Sequence, residues 1–258
     1  MGEPVGATTD KKSGSRLYYD PVTGRRVPSV TTITSVIAKP HLYAWYAKMA
    51  ATRAVEQRSE VDDVLSDKGK LAAIEFIKDS ATERKNSAGA RGTKVHDYAE
   101  AHLKGKSPDI PEDVRPYVDG YLKFRSDHSP EFHHTEISIV NRKYQYGGAA
   151  DFVMTTWETF AVPVVGDWKT GNTGPWPEWL LQMAAYTRGE VMLIQDGSKL
   201  RAAPMPEVSQ EQVFVVRLRP GRYELWENDV PLKDAFGAFL AARRLYEWTK
   251  VRSPYKRR

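Results

Sequence analysis

The sequence predicts an α/β fold with a helical region ahead of its core. Three observations lead there. Between residues 91 and 218 the patterning changes from helical spacing to three β-branched or alternating runs, then back to a helix and a further strand. Ahead of that stretch, apolar residues recur at helical spacing from Pro40 onward. At 258 residues and 41% hydrophobic, the chain suits one large domain or a core with an appendage.

Residues 1–16 are rich in Gly, Thr, Ser and Lys and read as a disordered leader. Tyr18 to Gly24 reads as a strand entering a turn, and Val27-Pro28-Ser29-Val30-Thr31-Thr32-Ile33 as a β-branched run that continues into a short helix. Residues 17–90 form the expected N-terminal strand and helical region, 91–250 the core, and 251–258 a basic tail. Pro40 stands where a helix tolerates its missing N–H, and Leu42, Trp45, Tyr46 and Met49 follow at i, i+3, i+4 and i+7. Lys48, Arg53 and Arg58 lie elsewhere on that helix. A second helix carries Leu71, Ile74 and Ile77.

Thr93 is a suitable N-cap for a helix over Lys94–Lys104, on which His96 and Glu100 share a face, whereas His102 is expected to be solvated. Val114, Tyr117, Val118, Tyr121 and Leu122 mark another amphipathic helix, stopped by the polar turn at Asp127–Pro130. Glu136–Val140 alternates as a strand, and Asn141-Arg142-Lys143 turns the chain into the strand holding Asp151. The small residues 147–150 would let another backbone or a ligand approach closely. Val164–Lys169 is the third strand, and a short connection around Glu158 would pair it with the second. The stretch 170–177 cannot be regular, a helix starts near Glu178, Val213–Trp226 forms a hairpin about Pro220-Gly221, and a last helix carries Leu232, Phe236, Phe239 and Leu240.

The chemistry gathers on the paired strands. A strand repeats every two residues, so Asp167 and Lys169 share a face while Trp168 points the other way. Pairing would set Asp151 beside Asp167. Two carboxylates and an ammonium at a sheet edge are expensive to desolvate, at roughly several kcal/mol per buried ion. A bivalent cation between the carboxylates would offset that cost. Gln182 and Tyr186, four residues apart, face the same way on the following helix.

Four groups therefore occur in one order: Gly92-Thr93-x-x-His96, Gly148-x-x-Asp151, Asp167-x-Lys169 and Gln182-x-x-x-Tyr186. This ordered set resembles the RecB-type branch of the PD-(D/E)XK nuclease superfamily over residues 90–218. Residues 27–32 and the Pro40–Trp45 helix are similar to RecB-like exonucleases of bacteriophages. The resemblance implies an αβββαβ restriction-endonuclease-like core, with a central mixed sheet flanked by helices and an N-terminal helical appendage. It also implies a metal-dependent exonuclease acting at DNA ends in recombination, repair or processing. Asp151, Asp167, Lys169, Gln182 and Tyr186 would form the catalytic set, and His96, Asp151, Asp167 and the Trp168 carbonyl would hold Mg²⁺ or Mn²⁺. Lys48, Arg53, Arg58, Gln182 and Tyr186 would contact DNA, either a single strand or a duplex end, with a recombination or single-strand-binding protein as a further partner. A structure-specific endonuclease using the same site, and a non-catalytic DNA-binding recombination accessory protein, are the competing readings.

Composition sets outer bounds. The chain has no cysteine, which excludes disulfides, thiolate zinc sites and the iron–sulfur cluster that many relatives of this kind carry. The N-terminal helices are then expected to close by packing alone. A net charge of +5 fits a polyanionic partner, and seven basic residues against one acid over 241–258 add sequence-independent attraction for phosphate. No run reaches the ~18 apolar residues of a membrane span. With no secretory signal pattern either, a cytoplasmic protein is expected, in the host cytoplasm if phage-encoded. No P-loop is present, so ATP use is not indicated.

Overall fold

A computed structural model describes residues 3–156 and 162–251. In chain order its elements are β1 (Ala7–Thr9), β2 (Arg16–Tyr19), β3 (Arg26–Pro28), α1 (Val30–Thr34), α2 (Pro40–Glu56), α3 (Arg58–Leu103) and α4 (Arg115–His128). Then follow β4 (Glu131–Asn141), β5 (Tyr146–Thr155), β6 (Val164–Lys169), α5 (Pro177–Thr187), β7 (Val191–Asp196), β8 (Lys199–Pro204), β9 (Val213–Arg219), β10 (Arg222–Glu227) and α6 (Leu232–Trp248). The chain divides into two units, Met1–Ile37 with Lys94–Arg258, and Ala38–Thr93.

The larger unit is a mixed α/β structure. Its central sheet has the order β10-β9-β6-β5-β4-β7-β8, antiparallel throughout except for the parallel pair β6–β9. Both faces are covered, and alternate residues of one strand serve opposite layers. Val213 and Val215 of β9 pack in the layer with Met183 of α5 and Phe239 of α6, while Phe214 and Val216 join Tyr121 and Phe124 of α4 and Val95 of α3. The smaller sheet is β1-β2-β3.

Several expectations are revised here. Residues 1–16 are not wholly a leader: β1 pairs with β2, because Val5 and Ala7 have an apolar neighbourhood in Tyr18, Val27, Val140 and Leu193. The segment 17–37 belongs with the core and not with the helices that follow it. Tyr18 lies against Gly147, and Ser29 makes a parallel bridge to the same glycine. The small residues at 147 and 148 thus admit Tyr18, Tyr186 and Val30. Thr93 does not cap a helix, since α3 is already under way there. Its interior leaves helical geometry at Gly69, where φ is +83°. The connection around Glu158 and residues 252–258 of the basic tail lie outside the described residues.

In the helical unit, Pro40 opens α2 as expected and Met49 is buried. Leu71 and Ile74 are exposed in place of forming a buried face. That stretch of α3 begins just past the Gly69 break, and the buried apolar residues of the unit are Met49, Ala73 and Ala81.

One ion pair ties the small sheet to the large one. Asp20 begins the turn between β2 and β3, accepting from Val22 N–H and the Thr23 hydroxyl, and takes a two-pronged contact from Arg142 at 2.7 and 3.0 Å. The Arg142 hydrogen bonds hold its carboxyl down at about 2. A depressed carboxyl contributes stability that is fully present above its unfolded value near 3.8 and is lost as pH falls through about 2. The contribution is at most about 2 kcal/mol, because the carboxylate, though sealed, sits just beneath the surface. Asp20→Asn is therefore expected to lower the urea midpoint at pH 7 and to converge with the wild type near pH 2. A constant gap down to pH 2 would assign the effect to the turn alone.

Candidate functional site

Trp168 anchors the site. Its ring lies 4.4 Å from that of Phe152, 5.4 Å from Tyr121 and 5.6 Å from Phe124, so this face of β6 is locked into the α4 layer. Phe152 can reach across because Gly166 has no Cβ; one built there would fall 1.9 Å from the ring. With Trp168 held on one side, strand periodicity puts Asp167 and Lys169 on the other. The β5–β6 register pairs Phe152 with Gly166, which sets Asp151 opposite Asp167. The Trp168 N–H donates to Asp151 Oδ2 at 2.7 Å, fixing that carboxylate across the strands.

Three further side chains converge. His96 on α3 places Nδ1 3.4 Å from Asp151 Oδ2, and Lys169 Nζ pairs with Asp167 Oδ2. On α5, Gln182 Nε2 donates to the Tyr186 hydroxyl at 2.8 Å, as the i, i+4 spacing predicts. Tyr186 packs over Gly148, where a Cβ would meet its ring at 2.4 Å. His96, Asp151, Asp167, Lys169, Gln182 and Tyr186 are thereby collected around β5 and β6, in the middle of the sheet and not at its edge as the sequence suggested.

The electrostatics are those of two carboxylates sharing one desolvated site. Burial, followed by the charge of Asp151, raises Asp167 to about 6, against the pull of Lys169. Asp151 is itself favoured by burial toward the neutral form, but His96, Lys169 and the Trp168 N–H hold it below its ordinary value. Burial pulls the His96 imidazole down, yet Asp151 outweighs it and the net shift is upward. Lys169 is likewise lowered by burial and lifted further by Asp167 and Asp151, so it stays an ammonium. Burial and the nearby Asp167 hold the Tyr186 phenol well above its usual value.

Two acids lie beside this set. Glu136 stands opposite Asp151 in the β4–β5 register and has φ of +51°, an uncommon conformation for a non-glycine residue. Burial, then Glu100 and Asp151, push its carboxyl up to about 7. His96, Glu100, Thr135, Glu136, Asp151 and Trp168 enclose a cavity of about 10 Å³, room for about one water-sized particle. Sequence patterning placed Glu100 with His96; Glu136 was legible only as a strand residue.

Among the described residues, no three His, Asp or Glu side chains are grouped closely enough to enclose a metal ion as they stand. The donor chemistry fits a hard divalent cation even so. Two carboxylates, an imidazole and the neighbouring main-chain carbonyl of Trp168 are oxygen-dominated ligands of the kind Mg²⁺ and Mn²⁺ take. Asp167 Oδ2 is sealed from solvent and, among the described residues, lacks a hydrogen bond of good geometry while pairing with the Lys169 ammonium.

Lys48, Arg53 and Arg58 are in the helical unit, where Arg53 is committed to Glu83, to the Phe76 carbonyl at 2.7 Å and to the Phe76 ring. Arg58 pairs with Asp62, and Lys48 is exposed. His102 is not solvated as expected. It stacks on Tyr98 and its Nδ1 lies 3.0 Å from the Tyr121 hydroxyl, because the α3 face that carries it packs against α4.

No family model matches this chain, and no curated protein matches it. Among solved structures, one titled "Crystal structure of SSO0001" is similar over 76% of this chain and 73% of its own, with 14% identity and a TM-score of 0.31. A likeness that slight adds nothing to the geometry. Among the described residues, no helix is long and apolar enough to cross a membrane.

Proposed function

We propose that this protein is a Mg²⁺- or Mn²⁺-dependent deoxyribonuclease with a PD-(D/E)XK core of the RecB type, hydrolysing phosphodiester bonds from DNA ends. The observation that carries the reading is the meeting of His96, Asp151, Asp167 and Lys169 on two paired central strands, with the two acids set opposite each other. The Gln182–Tyr186 pair on the next helix supports it.

Asp151, Asp167, His96 and the Trp168 carbonyl would hold the ion. When bound, the ion polarises the phosphate and lowers the pKa of a coordinated water. The remaining work falls to side chains. Lys169, kept cationic by the two acids, orients the attacking water and offsets charge that builds on the phosphorus oxygens. Tyr186 accepts from Gln182, which leaves its own proton to donate. Because the phenol is held protonated, that donor persists at any working pH and suits a phosphate oxygen. The preference for ends rests on the RecB-type set of motifs.

The test is a digestion time course on end-labelled linear duplex, linear single strand and covalently closed circles, each with Mg²⁺, Mn²⁺ or EDTA. Linear DNA is expected to be shortened with either metal, EDTA to stop it, and closed circles to persist. Closed circles cut as fast as linear forms would make it an endonuclease. No cleavage under any condition would leave the DNA-binding accessory role.

A further inference from the structure

Lys169 ends β6, and a second cation stands next to it. In the parallel β6–β9 register Lys169 is the partner of Arg217, and in the β9–β10 register Arg217 is the partner of Glu224. Two cations and an acid thus form a row across three strands. Arg217 shares the face of Val213 and Val215, which packs toward α5. It is buried, and two cations side by side would repel. Its guanidinium is committed to other partners. Nη1 donates to the Gly174 carbonyl at 2.9 Å, Nη2 to the Asn172 carbonyl at 3.3 Å, and Nε lies 3.4 Å from Glu224 Oε2.

Those carbonyls belong to the irregular stretch that leaves β6 and delivers α5. Among the described residues, no main-chain hydrogen bond of a turn or loop falls on 171–175, so side chains hold it. Arg219 adds a contact to Asn172 Oδ1 at 3.2 Å, and its Nε lies 3.9 Å from Glu224. The grip at Gly174 matters most. Gly174 has φ of +114° and packs under Trp179, where a Cβ would fall 2.4 Å from the ring. The centre of that ring lies 5.9 Å from Lys169 Nζ, within reach of cation–π attraction. Contacts therefore run without a break from Glu224 through Arg217, Gly174 and Trp179 to the Lys169 ammonium.

We propose that Arg217 is a positioning residue for Lys169. By gripping the Gly174 and Asn172 carbonyls it fixes the support on which Trp179 lies, and that ring confines the ammonium to the side where it pairs with Asp167. This role rests on the nuclease reading and adds a residue whose own contacts are to the loop and to Glu224. Lysine carries its charge on a flexible four-carbon stem, and stabilising a transition state needs that charge in one place. A displacement of about 1 Å is enough to cost about 10²-fold in rate. A planar guanidinium fork holds two carbonyls in one fixed geometry, which an ammonium on a flexible stem does not.

The experiment uses the full-length chain well below the melting temperature of every variant. Steady-state cleavage of linear DNA in Mg²⁺ is read beside labelling of Lys169 by an amine-reactive ester without DNA or metal, with exposed Lys78 as the internal reference. Arg217→Met is expected to lower kcat about 30-fold with KM within about twofold, and to raise Lys169 labelling about 3-fold against Lys78. Arg217→Lys should recover kcat to within about 5-fold of the wild type. Gly174→Ala, whose Cβ would push the Trp179 ring, should lower kcat and raise the labelling in the same way with the arginine intact. The double variant should fall no more than about twofold below the weaker single, because both changes act through one ring. Should Arg217→Met not fold, Arg217→Lys with Gly174→Ala closes the same cycle. Wild-type kcat in the folded Arg217 variants, losses that multiply in the double variant, or Lys78 labelling that rises as much as that of Lys169 overturns the positioning role and leaves the nuclease reading standing. A wild type that cuts no DNA overturns the nuclease reading alone if Lys169 labelling still rises in both single variants, and overturns both if it does not.

Discussion

Asp167→Asn is expected to abolish cleavage, by about 10³-fold or more, while the protein stays folded. A loss of that size is about 4 kcal/mol of transition-state stabilisation, the scale of removing a charged group that acts on the reacting phosphate. The same carboxylate is a burden to the fold. It is 3% exposed, faces Asp151, and is raised to about 6 by burial and by that neighbour. A carboxyl raised in the folded state destabilises it once ionised. The cost is fully present above about 6 and disappears as pH falls below the ordinary value near 3.8. By that linkage it amounts to about 3 kcal/mol at neutral pH. Part of this is returned in the variant, because Lys169 loses its closest partner. Thermal melting at pH 7.5 without metal should therefore show the asparagine variant as stable as the wild type or more so, and the difference should close near pH 4. Retained cleavage would remove Asp167 from the site. Loss of activity together with a collapsed melting temperature would make it a structural residue.

The legible parts of this site are those governed by short-range periodicity. That Asp167 and Lys169 share a face follows from the two-residue repeat of a strand, and the Gln182–Tyr186 hydrogen bond from the four-residue repeat of a helix. Opposition of Asp151 and Asp167 needed only that neighbouring strands pair. Glu136 was not legible because its role depends on register across β4 and β5 and on a left-handed backbone, neither of which alternation encodes. His102 was misjudged for a related reason: whether α4 covers that face of α3 is a tertiary fact. The hairpin β7–β8 was missed although a signal existed, since Gly197-Ser198 between two runs is a turn pair suited to a tight hairpin, with Gly197 at positive φ. The leader was misread because composition averages over sixteen residues, while Val5 and Ala7 alone suffice to seat β1.

Lys169→Met should lower kcat by about 10²- to 10³-fold and leave Mn²⁺ binding unchanged or tighter. The magnitude is that of losing one preorganised donor aimed at developing charge. The direction for the metal follows from the pairing: Nζ holds Asp167 Oδ2, so the ammonium competes with a cation for that oxygen. Lysine's position is well defined, since its Nζ also lies 5.9 Å from the centre of the Trp179 ring. Methionine keeps the length and apolar stem while removing the charge. Without Lys169 the two carboxylates face each other and Asp167 loses the ammonium that holds it down, so its carboxyl is pushed higher still. The metal-free variant should then melt below the wild type above pH 6, and saturating Mn²⁺ should restore most of the difference, because an ion that binds only the folded state stabilises it. Calorimetric titration with Mn²⁺, melting with and without the ion, and single-turnover cleavage read the three consequences separately. A large loss of Mn²⁺ affinity in the methionine variant would show that Lys169 chiefly holds the carboxylates in place, and its assignment to the reacting phosphate would fall.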